Sequence, residues 1–181
     1  STDGTGEVAE ALAKQDPNIQ VIHRKAKLGI GGAYKDAVMR ALADSETQVV
    51  VEMDADLSHD PIYVPLIVRA AERSGAAGLG SRYVKGGRIV GWSKGRRIAS
   101  RGANVLARVM LGLRVKDATS GYRAFTRDAL TSVGYMDAGT KAYAFQVEML
   151  HRCAQRKLPI EEVPITFYER RLGKSKLTKG D

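Results

Sequence analysis

A chain of 181 residues with 44% hydrophobic content can bury one sizeable core, so it reads as a single domain. Twenty-nine Lys and Arg against 20 Asp and Glu leave a formal charge of +9, which favours phosphates, nucleic acid or an acidic membrane surface as partners. The aromatic content of 6% is not interleaved with the basic residues as a base-stacking surface requires, which puts nucleic acid behind the other two. The lone Cys153 excludes an internal disulfide, and no apolar run reaches the roughly 20 residues of a membrane-spanning helix.

The opening Ser1-Thr2-Asp3-Gly4-Thr5-Gly6 reads as the loop after a strand and suggests a strand-helix-strand unit upstream of it. Thr5 to Gln15 is expected to be helical, entered through Asp3 and Gly4 and ended by Asp16-Pro17-Asn18, with an extended run from Ile19 to His23. Gly29 to Gly32 reads as a glycine-rich turn, continued as a helix by Ala33, Ala37, Val38, Ala41 and Leu42. Val49-Val50-Val51 and Met53 form a strand expected to be buried on both faces, ending at Asp54. Pro61 suits the first turn of a helix reaching about Arg73, capped by Asp60 or Ser58, and Ala76 to Ser81 makes the next strand.

A basic loop containing Gly86-Gly87 and Trp92 then leads to a helix beginning near Ser93. Its Ile98, Val105, Leu106, Val109 and Met110 are expected to face the core, leaving Arg96, Ser100 and Arg101 on the other side. Lys116 to Gly121 reads as a turn, Tyr122 to Phe125 as a short strand, Tyr143 to Lys157 as a helix and Ile160 to Tyr168 as a last extended segment. Residues 169–181 form a basic tail or flap. This alternation predicts an α/β domain over 1–181 with a mostly parallel central sheet flanked by helices.

Asp54-Ala55-Asp56 follows the valine-rich strand at the edge where open α/β sheets bind ligands. Two carboxylates there suit Mg²⁺ or Mn²⁺, which take oxygen ligands and complete their shells with substrate phosphates and water. Asp60 is better read as a helix cap. His23, His59 and His151 lack metal-ligand spacing and take structural or surface roles, and no Ser/His/Asp or Cys/His nucleophile set is present. A glycine turn such as Gly29-Ile30-Gly31-Gly32 is compatible with a phosphate cradle or with a purely conformational role.

Ser1 to Thr5, Gly29 to Ala33, Asp54-Ala55-Asp56-Leu57-Ser58-His59-Asp60-Pro61 and Gly80-Ser81-Arg82-Tyr83 resemble, in order and spacing, the family 2 glycosyltransferases. Arg96 to Ala103, Asp117-Ala118-Thr119-Ser120-Gly121-Tyr122-Arg123 and Gly173 to Leu177 resemble the polyprenol (dolichol) phosphate mannose synthases of that family, actinobacterial members above all. The resemblance spans nearly the whole chain and implies a GT-A, Rossmann-like fold whose first strand-helix-strand unit precedes Ser1. It implies a metal-dependent, inverting transfer of mannose from GDP-mannose to a polyprenyl monophosphate at the cytoplasmic face of the cell membrane, held there peripherally or by another domain.

By the same resemblance Asp54 and Asp56 bridge metal and nucleotide phosphates. Asp3, Gly31 and Ala55 complete the nucleotide-sugar contacts, and Arg82, Arg96, Ser100 and Arg170 gather the acceptor phosphate. Asp56 and Arg82 carry the catalytic part, while Lys174, Ser175 and Lys176 read from the residues as a basic tail or as a flap over both anionic substrates. Ser58 stands where relatives often carry Gln and receives no metal role. Planar guanidinium groups suit bidentate phosphate binding, and Ser100 lies one helical turn from Arg96. Arg97 and Arg101 fit surface roles equally well and stay outside this set. The alternatives are UDP-glucose or another sugar nucleotide as donor and, from a different class, a basic nucleic-acid-binding module.

Overall fold

The computed structural model describes residues 3–25, 29–139 and 144–169. Helix α1 (Thr5–Gln15) follows Gly4, and α2 (Gly29–Leu42) precedes strand β1 (Val49–Glu52). The Asp60 carboxylate accepts the Ile62 amide at 3.0 Å and Pro61 supplies a fixed φ, so a 3₁₀ turn (Pro61–Tyr63) opens α3 (Val64–Ser74). Gly75, at φ 72°, ends α3 and turns the chain into β2 (Ala77–Ser81). β3 (Arg88–Val90) lies within the expected basic loop, where alternation over three residues is too short to read as a strand. Ser93 caps α4 (Lys94–Leu111) by accepting the Arg96 amide at 3.3 Å. There follow β4 (Arg123–Thr126), α5 (Arg127–Ser132), a 3₁₀ turn (Tyr135–Asp137), α6 (Ala144–Gln155), β5 (Ile160–Pro164) and β6 (Thr166–Tyr168).

The main sheet has the order β1-β4-β2-β5, and β3 pairs with β6 in a separate parallel ribbon. β1, β2 and β5 run in one direction, as the α/β alternation predicts, while β4 is inserted antiparallel between β1 and β2. Alternating side chains place the two core layers on opposite faces. Ala77 and Phe125 pack with Val38 of α2 and with Phe145, Met149 and Cys153 of α6, whereas Ala124, Val163 and Ile165 pack with Ile67, Ala70 and Ala71 of α3. Burial pushes the Cys153 thiol up to about 11, in keeping with an inert core residue.

Four expectations change. Ile19 to His23 forms no strand among the described residues. Gly29 to Gly32 is the first turn of α2 rather than a loop, with Gly29 entering at φ 78°. β1 is half-buried along Val49 to Val51, because it lies at the edge of the described sheet, and Met53 falls beyond it. The largest change concerns α4: Ile98, Val105, Leu106, Val109 and Met110 are 70%, 55%, 60%, 77% and 72% exposed. Helical spacing establishes that these residues share a side, but not what covers that side. The face turned inward carries Asn104, whose side chain donates to the Ser100 carbonyl at 2.9 Å and to Thr119 Oγ1 at 3.1 Å and accepts the Thr119 amide at 3.2 Å. Tyr143, Arg170 and the flap residues Lys174, Ser175 and Lys176 lie outside the described residues.

Helix α3 lies so close on β2 that a Cβ at Gly78 would sit 2.0 Å from the Ile67 carbonyl oxygen. Gly78→Ala is therefore expected to cost at least about 3 kcal/mol, the upper part of the range for overpacking, because backbone rather than a flexible side chain must move. Urea unfolding of the variant beside Gly139→Ala, where a Cβ meets open space, measures the difference.

Candidate active site

At its carboxyl end β1 turns from valine to charge. Glu52 is buried and pairs with Arg123 opposite it on β4, through Arg123 Nε at 2.9 Å and Nη2. Burial opposes the Arg123 charge, and the Glu52 carboxylate more than restores it, so its pKa lies above the usual value. Two residues on, Asp54 leaves the sheet half-buried. Its amide donates to Nδ1 of His59 at 3.1 Å, and its Oδ2 lies 4.0 Å from that nitrogen. The His59 pKa is lowered by burial, so the neutral ring that accepts this amide is favoured.

Asp56 Oδ1 accepts both the amide and the hydroxyl of buried Ser58, at 3.0 and 2.5 Å. These bonds brace Leu57, which holds a φ of 65° while largely exposed. A leucine in the left-handed region costs about 1 kcal/mol or more, and such strain clusters where a site is held in shape. Tyr34 of α2 sits beside this end of β1. Burial, then the Asp54 and Glu52 carboxylates, push its pKa up, leaving a protonated phenol next to the acidic pair. The structural role expected of His59 is met by its bond to the Asp54 amide, whereas sequence reading missed Tyr34, because a lone phenol carries no spacing signal.

Among the described residues no three His, Cys, Asp or Glu side chains gather as a metal site. Asp54 and Asp56 are half-buried hard-oxygen donors in one short loop. That set fits a cation such as Mg²⁺, which takes one or two carboxylates and fills its shell from phosphates and water. Ala55 is exposed between them, and Gly31 is buried in the first turn of α2. Asp3 Oδ1 accepts the Thr5 amide and hydroxyl at 3.2 and 2.7 Å, at the entry to α1.

A second group forms after β2. Arg82, 9% exposed, donates from Nε to Asp117 Oδ2 at 2.7 Å, from Nη2 to Asp117 Oδ1 at 2.7 Å and from Nη2 to Thr119 Oγ1 at 2.9 Å. Glu162 holds the Lys116 and Asp117 amides at 2.8 and 3.1 Å, so the turn that carries Asp117 is itself fixed. Burial works against the Arg82 charge, and the Asp117 fork outweighs it and raises the pKa. Among the described residues Nη1 of Arg82 takes no part in these bonds. Tyr83, Trp92 and Phe167 rings lie 5.5, 5.4 and 5.3 Å from its guanidinium carbon. Arg96 stacks on Trp92 at 4.2 Å and pairs with Glu169 at 2.7 Å, while Tyr83 donates to Ser100 Oγ at 2.8 Å. The structure thus brings Arg82, Arg96 and Ser100 around Tyr83 and Trp92. It makes Asp117, which reads as a turn residue in the sequence and which the resemblance puts close to the active cleft, the anchor of Arg82.

Because Arg82 and Asp117 are buried together, truncating either leaves the other unpaired. Asp117→Ala is expected to lose about 3–5 kcal/mol of stability, and the paired replacement Arg82→Met with Asp117→Leu to recover most of it. Chemical denaturation of the three proteins checks this. It also separates the structural cost of an Arg82 substitution from any effect on activity.

Residues 1–134 match glycosyl transferase family 2. Over 180 residues, 99% of this chain and 73% of the other, the sequence is 43% identical to an undecaprenyl-phosphate mannosyltransferase of Micrococcus luteus. Over 179 residues, 98% of this chain and 67% of the other, it is 39% identical to a polyprenol monophosphomannose synthase of Mycolicibacterium smegmatis.

Proposed function

The chain belongs to glycosyl transferase family 2, and from that premise we propose that it transfers mannose from GDP-mannose to a polyprenyl monophosphate with inversion. The observation that carries this reading is the pairing of an acidic loop at Asp54 and Asp56 with a separate arginine group at Arg82 and Arg96, linked by one packed wall of aromatic rings. An acidic end that takes a cation with a nucleotide diphosphate, and a basic end that takes a phosphate, suit two anionic substrates that would repel each other in water.

In the proposed reaction an oxygen of the lipid phosphate attacks the anomeric carbon from the side opposite the nucleotide. The new carbon–oxygen bond forms as the old one breaks, and the electron pair leaves with the diphosphate. A phosphate monoester has a second pKa of about 6, so the acceptor is already anionic at neutral pH and needs no strong base. This agrees with a site in which the described imidazole, His59, is buried as a structural acceptor. Asp54 and Asp56 would hold Mg²⁺ or Mn²⁺, which when bound offsets the charge of the departing diphosphate. Arg82, through Nη1, with Arg96 and Ser100 would orient the acceptor phosphate, and Glu169 would release Arg96 as that phosphate arrives. Asp3, Gly31 and Ala55 would contact the nucleotide sugar. Arg170 and the Lys174-Ser175-Lys176 flap would close over both substrates.

No helix among the described residues is long and apolar enough to cross a membrane. Helix α4 supplies another route to a lipid acceptor. Its outer side presents Ile98, Val105, Leu106, Val109 and Met110, edged by Arg97, Arg101 and Arg108, and Lys94–Leu111 contains no Asp or Glu. That composition suits an interfacial helix on an anionic bilayer and supports the proposal that the chain works at the cytoplasmic face of the cell membrane.

Two measurements test the proposal. Product formation from labelled GDP-mannose and a polyprenyl phosphate is expected to require a divalent cation and to fall at least about a hundredfold in Asp54→Asn and Asp56→Asn, the scale of losing one electrostatic group at a reacting centre. Activity with UDP-glucose and none with GDP-mannose would overturn the donor. Val109→Glu with Met110→Glu is expected to lower co-sedimentation with phosphatidylglycerol vesicles while leaving transfer to a short water-soluble acceptor near the parent level. Unchanged sedimentation would remove α4 from the membrane surface.

A further inference from the structure

Arg96 and Arg97 are neighbours in sequence but point to different surroundings. Arg96 lies over Trp92 and is paired with Glu169. Arg97 reaches the other way, donating from Nη2 to the Ile89 carbonyl of β3 at 2.9 Å. One turn on, Arg101 lies over the Tyr83 ring at 5.8 Å. Between β3 and α4, Arg97 and Arg101 together with Arg88 and Arg82 line a cleft of about 320 Å³. Among the described residues no acidic side chain lines it. Among the described residues Arg88, Arg97 and Arg101 form no ion pair, whereas Arg82 is neutralised by Asp117.

The floor of the cleft is fixed. A Cβ at Gly87 would lie 2.6 Å from the Ser81 carbonyl oxygen and 2.7 Å from the Arg82 carbonyl carbon, so the loop after β2 is pressed against its own backbone. The Gly87 amide donates to the Val84 carbonyl at 2.9 Å, and Tyr83 is tied to Ser100 of α4. Three unpaired guanidinium groups held around such a floor repel one another, and an anion between them relieves that repulsion. The cleft also opens beside the outer stripe of α4. Ile98 and Val105 stand three residues before and four after Arg101, so they are its neighbours on the helix surface. A ligand anchored here by its charge could lay an apolar chain along Ile98 and Val105.

We propose that the β3–α4 cleft is a phosphate subsite for a lipid phosphate, built by Arg88, Arg97 and Arg101 above Arg82 and distinct from the Arg96–Ser100 side. The subsite deepens the function proposed above, and rests on it only for the identity of one possible occupant. Two sources share this chemistry: the acceptor's own phosphate, captured here before it passes to Arg82, Arg96 and Ser100, and the headgroup phosphate of an anionic bilayer lipid. A cationic side chain near an anionic surface contributes about 1 kcal/mol, or roughly fivefold in binding.

The test uses Arg88→Gln, Arg97→Gln and Arg101→Gln, singly and together, with Arg69→Gln on exposed α3 surface as a control for charge loss alone. KM is measured for a short isoprenyl phosphate in solution, and binding is measured to phosphatidylcholine vesicles with and without phosphatidylglycerol. A rise in acceptor KM of at least about tenfold in the triple variant, with vesicle binding kept, supports the subsite and assigns it to the acceptor. Loss of the phosphatidylglycerol-dependent binding with KM kept supports it and assigns it to the bilayer. Changes no larger than those of Arg69→Gln in both arms, with parental thermal melting, overturn it. The vesicle arm needs no turnover: where the proposed transfer activity fails, loss of phosphatidylglycerol-dependent binding still supports the cleft and unchanged vesicle binding overturns it.

Discussion

A guanidinium group with essentially no solvent exposure stands at the middle of the sheet, and its neutralisation constrains much of what surrounds it. Arg123 is in register with Glu52 across the β1–β4 pair, so the ion pair and the strand register satisfy each other. A slip of one residue would send Arg123 into the opposite core layer and leave Glu52 alone. The remaining donors and acceptors are also filled: Arg123 Nη1 reaches the Gln146 carbonyl of α6 at 2.9 Å, and the Tyr135 hydroxyl donates to Glu52 Oε1. A buried pair of this kind gives little net stability compared with apolar residues, but losing one partner is severe. What it gives is placement, since β1, β4, α6 and the Tyr135 turn meet at one point two residues before Asp54.

From that point the two chemical ends of the site are joined by stacked rings. His59 holds the Asp54 amide and stacks on Tyr122 at 4.8 Å; Phe167 meets His59 edge-on at 5.5 Å and Trp92 edge-on at 5.4 Å; Trp92 carries Arg96. Phe167 lies on β6, which pairs with β3, so the short ribbon beside the main sheet sets the spacing between acidic loop and arginines. Burial and the Asp60 carboxylate push Tyr122 up to about 12, and its hydroxyl donates to the Asp60 carbonyl at 3.0 Å. Each ring therefore fixes a charged group or a turn in addition to filling space.

The sequence made the elements of this arrangement legible where local chemistry decides them. Ser93, Asp60-Pro61 and the valine run announce α4, α3 and β1, because caps, fixed φ and β-branched side chains act within a few residues. The acidic loop was readable for the same reason. What could not be read depends on pairing across distance. Nothing near Asp117 marks it as the anchor of Arg82, and an antiparallel β4 between two parallel strands has no local signature. Gly29 to Gly32 misled, since glycines usually break helices and here form the first turn of one.

The outward stripe of α4 follows from these same bonds. Turning the helix by half a rotation would bury Ile98, Val105 and Val109, at about 1.5–3 kcal/mol for each side chain fully removed from water. It would also expose Asn104 and separate it from Thr119, whose hydroxyl accepts from Arg82, and pull Ser100 away from Tyr83. The core beneath α4 is already closed by Leu79, Leu113, Val115 and Leu150, with Ala107 and Leu111 of the helix packed against it. A rotated helix would bring its larger side chains against that closed surface and leave the Arg82 group unsupported. The rotation of α4 is thus set by polar contacts on its inner side, and the apolar stripe is left facing outward beside the unpaired arginines.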